Sequence, residues 1–61
     1  MTDRELIRDT LVLYTALHWA ETLGKDHRIE AICERLAENR ARLAKLCYFD
    51  TDEEALKERL S

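Results

Sequence analysis

Two histidines, two cysteines, a row of arginines and a small aromatic group are the side chains of this sequence with chemistry to offer. Imidazole is the commonest proton shuttle and metal ligand, so His18 and His27 come first. Neither has a second histidine or a cysteine three or four residues away, the helical separation that would let two such ligands converge on one ion. They read as a surface histidine and a loop histidine near a helix start. Cys33 falls well inside a helical segment beside Glu34, surroundings that do not favour a thiolate nucleophile. Cys33 and Cys47 lie fourteen positions apart, about 21 Å on one helix, too far for a bridge within the chain. Small core residues on the flank of a helical seam, with free thiols, are the ordinary reading for both. No catalytic set, metal site or cofactor site is expected.

Arg28, Arg35 and Arg42 recur every seven residues, with Arg40 and Lys45 close by, and give the second helical segment a basic edge. A row of guanidinium groups can grip phosphates or a partner's carboxylates, and more commonly it is simply a solvated edge. Tyr14, His18 and Trp19 form a second group. Their nearest charges are Asp9 and Glu21, so they lack the cations that accompany base stacking and fit a protein contact or a core better. Tyr14, Trp19, Arg28, Arg35 and Arg42 are therefore the candidate partner-binding residues.

Helices must position these groups. The chain has 61 residues, 46% of them apolar and 38% charged, with one glycine and no proline, a composition outside that of disordered linkers and turn-rich sandwiches. Thr2 and Glu5 have the form of a capping box, with Met1 and Leu6 at the positions of a hydrophobic staple, so a helix is expected over about 3–23. Leu6, Thr10, Leu13, Leu17 and Ala20 keep to one stripe of it. Gly24 suits its left-handed end, and Asp26 is placed to cap the next helix, expected over about 27–48. Ile29, Leu36 and Leu43 repeat there at seven residues, with Ile32, Cys33, Leu46 and Cys47 between them. Asn39 or Arg40 gives the middle layer of that seam a polar residue, either buried and fixing register or half-exposed on a flank. Thr51 and Glu54 repeat the capping-box pattern before a short helix over about 52–60, in which Glu53 and Lys57 have the favourable four-residue spacing, as Glu38 and Arg42 have earlier.

The expected fold is thus all-α, a helical hairpin with a short C-terminal helix in a single domain. Its core, within the chain or between two copies, draws on Leu6, Leu13, Leu17, Ile29, Ile32, Leu36, Leu43 and Leu46. Val12, Trp19 and Leu23 project from the first helix opposite Ile7 and Tyr14, more apolar surface than one partner helix covers. Self-association into an antiparallel homodimeric four-helix bundle covers it economically. Docking of the C-terminal helix as a third helix of a monomer is the rival arrangement.

Residues 1–24 sum to a charge of -2, 25–49 to +2 and 50–61 to -3, which makes the whole -3 and leaves only a local basic face for nucleic acid. The acidic tail is placed to lie across the arginine edge. The longest uncharged run, Thr10 to Ala20, is eleven residues, short of the roughly 20 that span a membrane. No secretion signal is expected from the first residues, which makes a reducing cytoplasm the expected location.

Ile32, Cys33, Glu34, Leu36, Leu43 and Cys47, at these spacings in a chain that begins Met1-Thr2, resemble the Rop family, small plasmid proteins also called repressor of primer. The resemblance covers about sixteen positions of one amphipathic helix. It implies a hairpin that dimerises into an antiparallel four-helix bundle and binds paired RNA loops through the two copies of its first helix. On that pattern Cys33 and Cys47 fill small core slots and Leu36 and Leu43 large ones. Arg40 falls in a small slot, and the first helix here is net acidic where the family's RNA face is basic. The sequence is therefore expected to encode a non-enzymatic regulator, adaptor or inhibitor that binds another macromolecule, a protein on the leading reading and RNA on the alternative.

Overall fold

The computed structural model describes residues 2–61. It is all-α: helix α1 spans Asp3–Leu23, α2 Asp26–Lys45 and α3 Glu53–Leu60. The Thr2 hydroxyl accepts a hydrogen bond from the Glu5 amide at 3.2 Å, which satisfies one of the orphan donors of the first turn. The expected staple needs Met1 and so lies outside the described residues.

At the far end of α1, Gly24 takes φ +69, and the amides of Gly24 and Lys25 bond back to Glu21 and Ala20. This is the six-to-one and five-to-two pattern of a Schellman close, at the one position where a left-handed residue is needed and glycine provides it without a Cβ penalty. The chain reverses at once. Asp26 does not cap α2: Lys25 holds the cap position without a side-chain bond, and Asp26 is the first helical residue, where its charge still complements the helix dipole.

Helix α2 stops at Lys45 rather than Tyr48. Cys47 adopts φ +70 while its amide bonds to Ala44 and that of Tyr48 to Leu43. The same closing motif as at Gly24 is built here on a residue with a Cβ.

The hairpin packs Leu6, Leu13 and Ala20 of α1 toward Leu36 and Leu43 of α2, all buried, with Leu17, Ile29 and Ile32 half-buried. Leu46, expected in the core, is 43% exposed because the helix has already ended. Cys33 and Cys47 are exposed free cysteines rather than core residues of the chain. Thr10 is fully buried and donates to the Leu6 carbonyl at 2.8 Å, which lets a hydroxyl sit in the core. Asn39 is the buried polar residue of the seam. Its amide donates to Asp9 at 2.7 Å.

Helix α3 lies along α1 and reaches α2 through the core, where its side chains join Leu43. Leu56, fully buried, joins Leu6, Ile7 and Leu43, and Leu11, Tyr14, Tyr48 and Leu60 close around them. The tail therefore meets the basic edge only at Arg40, through Thr51, and α3 runs beside Ile7 and Leu11 rather than along Arg28, Arg35 and Arg42. The expected Thr51 capping box is not formed either. Thr51 is buried with its hydroxyl accepting from Arg40 Nε at 3.0 Å, and Asp52 stands at the cap position without a side-chain bond.

Candidate interaction surface

The aromatic group expected on α1 is divided by the fold. Tyr14 turns inward, half-buried, and its hydroxyl donates to the Thr51 carbonyl at 2.8 Å. Burial pushes the phenol above its ordinary value, opposed by the nearby Arg40, so the hydroxyl stays protonated and keeps that bond. His18, exposed, meets Glu53 of α3 at 3.0 Å. The His18 hydrogen bond, with Lys57 at 3.8 Å, holds the Glu53 carboxyl below its ordinary value. Tyr14 and His18 are thus occupied in fastening α3. Trp19 is 64% exposed and makes no bond to the tail.

It does not stand alone on its surface. Val12 is 59% and Leu23 62% exposed, and with half-buried Ala16 they step along α1 at four, three and four residues. That is the spacing of a coiled-coil seam, facing away from α3. Shallow hollows flank Trp19, one lined with Thr15, His18 and Thr22, the other with Arg8, Leu11, Val12 and Ala16.

The Asp9–Asn39 bond shows what lies beside this stripe. Along α1, Glu5, Val12 and Ala16 are the outward neighbours of Asp9, at the helical spacings of four, three and seven. Along α2, Arg35 and Arg42 hold the corresponding places beside Asn39, and Arg28 continues their row. On the other side of the α1–α2 seam, Arg40, Thr51 and Tyr14 mark the α3 side. The apolar stripe of α1 and the arginine row of α2 therefore share the face of the hairpin that is turned away from α3.

Arg28, Arg35 and Arg42 are exposed, and among the described residues the ion pairs are His18–Glu53 and Lys57–Glu53. The Glu38–Arg42 pair expected from spacing is not formed. Val12, Trp19 and Leu23 were legible in the sequence as apolar residues off the main stripe, whereas Ala16 was not, because alanine is a weak signal by itself.

Among the described residues no group of three histidine, cysteine or acidic side chains could hold a metal ion, and no helix is long and apolar enough to cross a membrane. No family model, no curated protein and no solved structure matches the chain, so the likeness to the Rop family rests on the residues between Ile32 and Cys47 named above.

Proposed function

We propose that this protein is a non-enzymatic, cytoplasmic regulator, adaptor or inhibitor that acts by binding another protein through the outer face of α1. The observation that carries this reading is the exposed seam of Val12, Ala16, Trp19 and Leu23, left uncovered after α2 and α3 have taken the other sides of the helix. Seams at this spacing insert into grooves of partner proteins as anchor residues, and a central tryptophan is the commonest kind of hot spot. The non-enzymatic part of the reading rests on the spacing of the histidines and cysteines, which converge on no catalytic set.

A homodimer is the second reading, favoured by the same seam. Two copies of α1 crossing antiparallel about Thr15 and Ala16 would set Trp19 of one against Val12 of the other, with small residues at the centre. That arrangement leads toward the four-helix bundle of the Rop-like reading, whose target would be RNA. Affinity capture from the native host, with and without nuclease, separates these readings. A protein retained after nuclease treatment and lost with Trp19→Ala supports protein binding. Capture of nucleic acid alone, or of nothing but further copies of the chain, would sink it.

A further inference from the structure

We infer that the face of the hairpin opposite α3 is a docking trough for an acidic amphipathic helix of another protein. This rests on the protein-binding reading and adds the chemistry of the partner. One wall of the trough is the stripe of Val12, Trp19 and Leu23, exposed by 59%, 64% and 62%. The other wall is Arg28, Arg35 and Arg42, exposed and without ion pairs among the described residues. Half-buried Ala16 lies between the two walls, and its small side chain leaves room for a helix to approach.

An occupant of this trough needs two things at once. It must bring apolar residues to Trp19 and carboxylates to the arginines, whose row advances about 10.5 Å per seven residues. A helix that repeats acids every seven residues beside an apolar stripe meets both requirements over three successive arginines. Guanidinium groups match carboxylates in fork geometry, and desolvation by the adjoining apolar contact strengthens each pair. The net charge of -3 does not prevent this, since exposed charges farther than about 8 Å are screened at physiological salt.

The other occupants fit only one wall. A second copy of α1 brings its own seam to Trp19, but its carboxylates on the matching flank, Glu5 and Asp9, sit at one end of the helix and Asp9 is already held by Asn39. Packing into a four-helix bundle would then enclose arginines without partners, which is costly. Duplex RNA brings phosphates to the arginines and leaves the apolar wall in water.

The test is selection from a displayed library of helical peptides, with the full chain as bait. Retained peptides should carry Asp or Glu at seven-residue intervals next to apolar residues. Their binding should move the emission of Trp19, the single tryptophan, to shorter wavelength. The combined variant Arg28→Glu, Arg35→Glu, Arg42→Glu changes only exposed side chains; confirmed helical by circular dichroism, it should bind the selected peptides on the order of 100-fold more weakly and select basic peptides instead. Apolar peptides without acid enrichment, bound equally by that variant, would overturn the inference and leave the protein-binding reading standing. Failure to retain any helical peptide overturns it as well; if Trp19 emission then responds to an RNA hairpin or to protein concentration alone, the protein-binding reading falls with it.

Discussion

Asn39 and Asp9 meet at 2.7 Å across the α1–α2 seam, one buried and the other half-buried. Removing one member strands the other away from water, which costs more than the net worth of the bond. Asn39→Ala is expected to lower stability by about 1–3 kcal/mol in urea unfolding. Joint replacement of both by leucine should recover much of that loss, because no orphaned polar group remains. Cys47 makes the opposite case. Its φ of +70 places a Cβ where only glycine is at ease, so Cys47→Gly should raise stability by about 0.5–1 kcal/mol despite the added freedom of the unfolded chain. This αL residue was not legible in the sequence, since cysteine is no signal for it, and the second helix accordingly read three residues too long. Gly24 announced the same motif in the only residue type that marks it openly.

Helix α3 has eight residues, too few to persist alone, and its order comes from docking. Leu56 is fully buried between α1 and α2 side chains. Leu56→Ala should cost about 2–5 kcal/mol and speed amide hydrogen exchange across Glu53–Leu60. The Glu53 contact adds a dependence on acid. Its carboxyl is held below the ordinary value by the His18 hydrogen bond, aided by Lys57, so its contribution is complete above the ordinary carboxylate range and fades as pH falls through the lowered value. Hydrogen exchange followed from neutral pH downward should show α3 loosening below that range, and Glu53→Gln should flatten the response. The existence of α3 was legible from its acidic first turn and its Ala55, Leu56, Leu60 pattern. Its site was not: the Thr51 hydroxyl that looked like a cap is taken by Arg40, a tertiary contact that outweighs local capping and that spacing cannot reveal.

On the scale of the whole molecule, 61 residues bury a small core, and the rest of the apolar surface must face water or a partner. Helix α1 serves on three sides, against α2, against α3 and outward. The sequence showed an excess of apolar residues on that helix, and the arginine row was visible as a seven-residue repeat. That both belong to one face was not visible, because it depends on the register of the hairpin and on which side α3 takes. The central claim is that another protein covers this face. The most direct measurement is photo-crosslinking in the native host, with a photoreactive amino acid in place of Val12 and a control in place of Glu30 on the far edge of α2. The account predicts a discrete adduct to a different protein at position 12, resistant to nuclease and absent at position 30. Adducts only to a second copy of the chain, only to RNA, or equally from both positions would contradict it.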